Sequence, residues 1–241
     1  MPRLWTRQLA QVAVMILAVV SVLMGVPQTA LAAVSLDETP DMLNVVTVYP
    51  TDSATQSEVL SEVSKSEAST FSDVPGFKDS AILKAQDGSQ IVALSQWNGK
   101  DITSFESYAK EHVLSIPEGQ SAQSFACQVQ HTETKADSPR FEQGDFVQFS
   151  QFKMKPSKEQ SELAGIVSQM MPGALQMSAE LQWAAMCPST DGSTIALIAR
   201  WNSREGFETI AQQPGFDSET GYWQMYANNE HGLYDVAQVI R

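Results

Sequence analysis

The segment Asp87-Gly88-Ser89-Gln90-Ile91, which leads to Trp97-Asn98, has a counterpart in Asp191-Gly192-Ser193-Thr194-Ile195, which leads to Trp201-Asn202. Each matching residue lies 104 positions later in the second segment. Asp-Gly between two apolar runs is a strong β-hairpin signal, because both central positions of the turn need a positive φ. The sequence therefore predicts two repeats, each with a β-hairpin in its middle.

The same order of predicted elements surrounds each hairpin. Repeat 1, residues 44–133, has its strands and helices at Asn44–Tyr49, Ser53–Phe71, Phe77–Ala85, Gln90–Trp97, Ile102–Leu114 and Ser124–Thr132. Repeat 2, residues 144–241, has them at Asp145–Met154, Pro156–Met170, Ala179–Met186, Ile195–Trp201, Arg204–Ala211 and Leu233–Ile240. Apolar residues at helical spacing define the helices, and Pro172-Gly173 is expected to end the first helix of repeat 2.

This βαββαβ order predicts a ferredoxin-like unit of the α+β class, in which both helices cover one face of an antiparallel sheet. A single unit leaves its other sheet face bare, and a second copy of the same sheet can cover that face. We therefore expect two fused units packed sheet to sheet as a pseudo-dimer. Residues 134–143 have the composition of a linker, and residues 33–43 precede repeat 1 as an N-terminal extension.

The first 32 residues have the pattern of an export signal. Arg3 and Arg7 precede the apolar run Val12–Val26, and Ala30-Leu31-Ala32 is a small-x-small cleavage site. The mature chain is then expected to start near Ala33, to be periplasmic or secreted, and to have no stable membrane association. An uncleaved anchor is the alternative, since Leu9–Val26 is at the short end of bilayer-spanning length.

The charge of the chain argues against one class of partner. It has 15 Lys and Arg against 28 Asp and Glu, a formal net charge of −13. Nucleic-acid affinity comes largely from neutralising phosphates with basic side chains, so a nucleic-acid partner is not expected. The histidines His112, His131 and His231 are scattered, and no zinc-binding spacing is present.

The sequence resembles the antibiotic biosynthesis monooxygenase-like branch of the dimeric α+β barrel superfamily, here as a tandem pair. The features that carry the resemblance are Pro75-Gly76-Phe77 before the second strand, the Asp-Gly hairpins, and third strands that end in Trp97-Asn98 and Trp201-Asn202. The likeness spans about 44–239. It implies a ligand cavity between each sheet and its helices. Members of the family include oxygenases that use molecular oxygen without metal or flavin cofactors, relatives that degrade haem, and proteins with no known activity.

The candidate site residues lie mainly in repeat 2. Gly221–His231 is an aromatic-rich insertion that repeat 1 lacks, and in a helical conformation its aromatic residues would share a face. His231 is the candidate general base because its ordinary pKa is suited to proton transfer near neutrality. Catalysis is assigned to His231 and Asn229, and binding of a small aromatic or hydrophobic ligand to Trp201, Tyr222, Trp223, Tyr226 and Trp97.

Structural roles for the same residues remain open. The insertion is also compatible with a packed aromatic helix that ends in a surface turn at His231, and the tryptophans with core anchors. Relatives that degrade haem place a histidine about ten residues after the third-strand tryptophan, where this chain has Ser107 and Ala211. That departure argues against haem degradation.

Two further alternatives concern function and the cysteines. A cofactor-independent monooxygenase of small aromatic or quinol-type compounds is the leading hypothesis, and a non-catalytic binder of hydrophobic ligands or a structural module is the rival. Cys127 and Cys187 fall on elements that meet across the interface in fused barrels of this superfamily, which makes a disulfide plausible beside two free thiols. Association beyond the pseudo-dimer is left open.

Overall fold

The computed structural model describes residues 33–69, 74–99, 121–217 and 219–241. The predicted export signal, the predicted helix Ile102–Leu114 and His112 lie outside these ranges. Among the described residues, no helix is both long enough and apolar enough to cross a lipid bilayer.

The described elements follow the predicted order. The first half of the chain contains β1 (Ala33–Ser35), β2 (Met42–Pro50), α1 (Gln56–Ser69), β3 (Phe77–Ala85), β4 (Gln90–Asn98) and β5 (Gln123–Cys127). The remainder contains β6 (His131–Thr134), β7 (Arg140–Glu142), β8 (Phe146–Met154), α2 (Gln160–Met177), β9 (Leu181–Pro188), β10 (Thr194–Trp201), α3 (Arg204–Ala211) and β11 (Ala227–Ile240).

The large sheet is antiparallel and has the order β5-β2-β4-β3-β11-β8-β10-β9-β6. Its first four strands and the next four each follow the strand order of a ferredoxin-like unit. The two end strands, β5 and β6, belong to one stretch of chain, and between them the amides of Gln128 and Gln130 donate to the carbonyls of Pro188 and Met186. The sheet therefore curls until its two ends meet.

Both halves contribute to the core enclosed by the curled sheet. Successive residues of a strand point to opposite faces of the sheet. In β2, Val46 and Val48 point into this core, whereas Val45 and Tyr49 pack on the outer side, which faces the helices. The residues at the centre of the core are nearly all apolar and include Leu83, Leu94, Phe149, Trp183, Ile198 and Tyr234. The predicted α+β class and the face-to-face packing of the two sheet halves are confirmed.

A disulfide joins the two halves inside this core. Cys127 at the end of β5 is bonded to Cys187 in β9, with their Cα atoms 5.4 Å apart. Both residues are fully buried. Of the two alternatives left open by the sequence, the structure therefore has the disulfide.

The two hairpins are local features that the sequence predicts and the structure reproduces. Gly88 has φ 83° and Gly192 has φ 76°, and each lies in the turn between two paired strands. The helix α1 begins after Asp52, whose Oδ1 accepts hydrogen bonds of 2.9 Å from the amides of Ala54 and Thr55. Turn glycines and capping carboxylates act over a few residues, so the sequence reveals them.

Several element boundaries in the structure differ from the predicted ones. Pro172 lies inside α2, which continues to Met177, because Leu175 beyond the proline is buried against the sheet and packing outweighs the lost backbone hydrogen bond. The predicted linker contains β7, which pairs with β1 from the N-terminal extension. The last strand begins at Ala227 rather than Leu233.

The duplication itself stays a prediction, although equivalent contacts recur at the same spacing. Gln56 Nε2 donates to the carbonyls of Ala85 and Gln90 at 2.7 and 3.3 Å. Gln160 Nε2, 104 residues later, donates to the carbonyls of Ser189 and Thr194 at 3.3 and 2.7 Å. These contacts fix which positions of the two halves correspond.

Candidate functional site

A cavity of about 440 Å³ lies in the second half, between the sheet and its helices. Its volume is within the range of ordinary small-molecule sites. One wall comes from α2, whose lining residues are apolar: Val167, Met170, Met171 and Ala174. The opposite wall comes from α3 and from the loop that follows it, with Phe207, Ile210, Phe216, Tyr222 and Trp223.

The floor of the cavity is the outer face of β8, β10 and β11, and it carries the polar groups. Gln148, Ser150 and Phe152 alternate along β8 and share this face. The strand register places His231 opposite Ser150 and Asn229 opposite Phe152. Gln148 Nε2 donates to Ser150 Oγ at 2.7 Å, so this buried serine hydroxyl accepts one hydrogen bond from its neighbour on the strand.

Two buried polar atoms of residues that line the cavity lack a partner. Trp201 Nε1 and Asn229 Oδ1 make no hydrogen bond to any part of the chain that the structure describes. Such atoms are uncommon in folded proteins, because burial without a partner costs about 1–3 kcal/mol. Both atoms are covered by surrounding protein atoms, so neither is exposed to the cavity.

His231 lies at the rim of this cavity and not deep within it. Its side chain is exposed, and its ring centroid is 6.4 Å from that of Phe207. Because it belongs to β11, a paired strand, its backbone position is fixed. The imidazole therefore has access both to solvent and to a bound ligand, as a proton acceptor needs.

The aromatic insertion is a loop and not a helix. Residues up to Tyr226 form turns, and β11 begins at Ala227, so Asn229 and His231 are strand residues. The rings of Tyr222 and Trp223 pack on Phe152 at centroid distances of 6.1 and 5.8 Å.

This packing closes one end of the cavity. Because the loop buries Tyr222, the pKa of its phenol is raised above the ordinary value. The Tyr222 hydroxyl therefore remains protonated at any physiological pH.

The predicted ligand-binding residues fall into two groups. The cavity is lined by Trp201, Tyr222, Trp223, Asn229 and His231. Tyr226 is not part of the lining, and its ring faces the ammonium group of Lys158 at 5.6 Å. Trp97 lies in the other half of the sheet, where its Nε1 donates to Ser95 Oγ at 2.9 Å. Functional roles for all of these residues stay predictions.

Gln148, Ser150 and Met171 were not anticipated as lining residues. A signal for the first two exists in β8, where positions 146, 148, 150 and 152 share one face of the strand. Two polar residues between Phe146 and Phe152 on one buried face are unusual for a core strand. The mixed apolar spacing of this segment concealed the pattern.

The corresponding region of the first half has different chemistry. Glu67 occupies the α1 position that corresponds to Met171, and Ser80 the strand position that corresponds to Ala184. Burial raises the pKa of Glu67 to about 7. The nearby Ser80 hydroxyl reduces this rise in pKa, although it does not reach hydrogen-bond geometry with the carboxyl group. Burial, and secondarily the charge of Glu67, raises the pKa of Tyr49.

The cavity of the second half is free of fixed charge. Among its lining residues in the described ranges there is no Asp, Glu, Lys or Arg. A charged ligand transferred there from water would lose its hydration without gaining an ion pair. This composition favours an uncharged ligand.

Solved structures share this fold. An anthrone oxidase-like protein superposes with a TM-score of 0.70 at 17% identity, over 86% of this chain and 95% of that chain. A candidate monooxygenase from Fusobacterium nucleatum superposes with 0.56 at 14%, over 83% and 94%. One from Lactobacillus acidophilus superposes with 0.53 at 9%, over 83% and 96%.

No protein-family model and no curated protein sequence matches the chain. The structural neighbours named above are at most 17% identical to this chain in sequence, so their likeness to it shows a shared fold. The chain thus has the ferredoxin-like fold of monooxygenase-like proteins, and the predicted resemblance to the antibiotic biosynthesis monooxygenase-like group is confirmed at that level.

Proposed function

We propose that this protein is an exported, cofactor-independent monooxygenase that oxidises a small aromatic or quinol-type compound in the cavity of its second half. The observation that carries the proposal is the cavity itself, with apolar and aromatic walls, the polar residues Gln148, Ser150 and Asn229 in its floor and a histidine at its rim. The names of the structural neighbours, an anthrone oxidase-like protein and two candidate monooxygenases, agree with it.

The reaction needs no external reductant, because an electron-rich substrate supplies every electron. For a hydroquinone, C₆H₆O₂ and O₂ give the hydroxyquinone C₆H₄O₃ and H₂O. One oxygen atom enters the ring and the other leaves in water, so four electrons pass from the substrate to oxygen. His231 accepts the phenolic proton, and the resulting anion passes an electron to O₂ and combines with it.

Oxygen consumption tests the catalytic proposal. The mature protein is expected to increase oxygen uptake above autoxidation for at least one compound of a panel of hydroquinones, anthrones and flavonols. Replacing His231 with Gln, which cannot act as the base, is expected to reduce the rate at least tenfold. Glu230→Gln, a change at the exposed neighbouring residue, serves as the control.

A panel without any protein-dependent uptake would contradict the catalytic proposal. A compound that raises the melting temperature and is never turned over would support the non-catalytic binder instead.

Export is the second part of the proposal. The sequence pattern supports it, because Arg3 and Arg7 precede the apolar run Val12–Val26 and Ala30-Leu31-Ala32 is a small-x-small cleavage site. Expression of the full chain in a bacterial host, followed by fractionation and N-terminal sequencing, is expected to give a protein outside the cytoplasm that starts near Ala33. Recovery of intact chain in the membrane fraction would contradict cleavage and support the anchor.

A further inference from the structure

The cavity of the second half has no fixed positive charge to balance an anion. Among its lining residues in the described ranges, only His231 and Tyr222 can titrate, and none is Lys or Arg. The proposed reaction nevertheless forms an anion there, because His231 removes a proton from a neutral substrate. An anion in such surroundings has to be stabilised by hydrogen-bond donors, whose effect is larger where water is excluded.

The hydroxyl of Tyr222 is a donor of the required kind. Tyr222 lines the cavity, and its side chain is largely covered by protein but retains accessible surface. Its hydroxyl makes no hydrogen bond to any other residue that the structure describes. Unlike Trp201 Nε1 and Asn229 Oδ1, it is not completely covered by protein atoms. A ligand in the cavity can therefore reach it.

The ring of Tyr222 is held in place by three aromatic neighbours. Its centroid lies 5.0 Å from that of Trp223 and 6.1 Å from those of Phe152 and Phe216. None of these neighbours carries a charge, and burial raises the pKa of the phenol. Because the proton stays on Tyr222, this residue can donate a hydrogen bond to an anion without competing with His231 as a base.

Two other donors in the lining are less available. Gln148 Nε2 donates to Ser150 Oγ at 2.7 Å. The indole N–H of Trp201 is unpaired, but surrounding protein atoms cover it. The Tyr222 hydroxyl thus combines access to the cavity with a hydrogen that no protein acceptor takes.

The strand register places Tyr222 close to His231. Tyr222 packs on Phe152, which pairs with Asn229, and His231 follows Asn229 by two residues along β11. Two residues of a strand span about 7 Å, so one small ring with polar substituents can contact both side chains.

We propose that Tyr222 is a catalytic residue, whose hydroxyl donates a hydrogen bond to a substrate oxygen that becomes negatively charged when His231 accepts the proton. The substrate then enters the cavity neutral and ionises inside it. The inference rests on the proposed function, because it concerns the same cavity and the same proton transfer.

Binding of p-nitrophenol to the mature protein tests the inference without turnover, because the nitro group leaves the ring too electron-poor to react with oxygen. Its phenol and phenolate forms absorb at different wavelengths. A spectrophotometric titration at several pH values therefore gives the affinity for each form. p-Nitroanisole, which has a similar shape and cannot ionise, reports packing alone.

Tyr222→Phe keeps the ring and removes the hydroxyl. It is expected to lower the ratio of phenolate to phenol affinity about tenfold, since a hydrogen bond to a charged group is the stronger one. Its affinity for p-nitroanisole should be unchanged. In oxygen uptake, kcat is expected to fall about tenfold with little change in KM.

Tyr49→Phe is the matched control. Tyr49 is another buried tyrosine whose pKa is raised by burial, but it lies in the first half and does not line the cavity. This variant is expected to bind p-nitrophenol and p-nitroanisole as the parent protein does. Melting temperatures within a few degrees of the parent protein establish that each variant is folded.

Three binding outcomes would overturn the inference. These are an unchanged ratio of phenolate to phenol affinity in Tyr222→Phe, an equal loss of affinity for p-nitroanisole, and no binding of p-nitrophenol to the parent protein. The expected binding pattern without any oxygen uptake would overturn catalysis alone. Oxygen uptake that Tyr222→Phe leaves unchanged would overturn the inference alone, so the two proposals fail separately.

Discussion

Glu67 is the residue whose environment departs most from what its type would suggest. It lies on α1 and carries an ionisable carboxyl, yet its side chain is 3% exposed and its Oε2 has no partner among the described residues. Burial makes the charged form unfavourable, which is why the pKa of its carboxyl rises to about 7.

Stability is therefore expected to decrease with pH over a defined window. A carboxyl with a folded pKa of about 7 and an ordinary pKa of 4.5 loses its protons first in the unfolded chain. The contribution of Glu67 to stability is thus greatest below about pH 4.5 and falls until about pH 7, by roughly 3 kcal/mol in total. Glu67→Gln removes the titrating group and should unfold at the higher urea concentration at pH 8.

Urea unfolding between pH 4.5 and pH 8 measures this effect. Glu62→Gln, a change at an exposed carboxyl of the same helix, is the control and should follow the parent protein. Parallel curves for Glu67→Gln and the parent would contradict the raised pKa.

At the scale of elements, the loop between α3 and β11 controls the closed end of the cavity. The ring of Trp223 packs directly over Gly221, so that a Cβ atom on residue 221 would lie 2.5 Å from the indole. This contact requires glycine for space, since its backbone angle is not unusual. The loop conformation that brings Tyr222 and Trp223 onto Phe152 depends on it.

Gly221→Ala is expected to displace Trp223 and to weaken ligand binding about tenfold, with a smaller effect on global unfolding. Spectrophotometric titration with p-nitrophenol and urea unfolding measure the two effects. Gly173→Ala provides a matched control, because a Cβ there meets no atom within 4 Å and alanine favours the helix. Equal affinity of Gly221→Ala and the parent protein would show that the loop does not shape the site.

At the scale of the whole molecule, the two halves are held together by strand pairing and by one covalent bond. β11 pairs with both β8 and β3, and the stretch that contains β5 and β6 pairs with both β2 and β9. Strands of the two halves thus form one continuous sheet. The Cys127–Cys187 disulfide lies within this shared core, away from the cavity lining.

Removal of the disulfide should lower stability and spare the site. For a sequence separation of 60 residues, the loss of loop-closure restraint corresponds to about 4 kcal/mol. The double variant Cys127→Ala and Cys187→Ala is expected to unfold at lower urea concentration and to bind p-nitrophenol as the parent protein does. Unchanged stability would contradict a structural role for the bond.

The sequence predicts which strands and helices are present more accurately than it predicts where each begins and ends. The Asp87-Gly88 and Asp191-Gly192 turns were found because their signal is contained in two residues. The start of β11 was misplaced by six residues, since Asn228, Asn229 and Glu230 are poor strand formers that become strand only through pairing with β8. Pro172 was misread for the same reason, because tertiary burial of Leu175 overrides a local helix breaker.

The candidate site was predicted in part for similar reasons. An aromatic cluster near a histidine is visible along the chain, so Tyr222, Trp223, Asn229 and His231 could be named. The expected shared face of the aromatic residues depended on a helix, and the chain forms turns there, so Tyr226 lies outside the cavity lining. Gln148 and Ser150 were missed, since their place beside His231 depends on strand register.

The sequence by itself determined the class of fold, the order of the strands and helices, and the position of the hairpins, since each depends on residues close together in the chain. Only the tertiary structure decided which polar groups remain unpaired. Trp97 and Trp201 occupy the same position in the two sequence repeats. Their indole N–H groups differ in hydrogen bonding because of Ser95 and Ala199, and because of the side chains that the folded sheet brings around each indole. Hydrogen-bond satisfaction in a buried site depends on every neighbour at once, and those neighbours are set by folding.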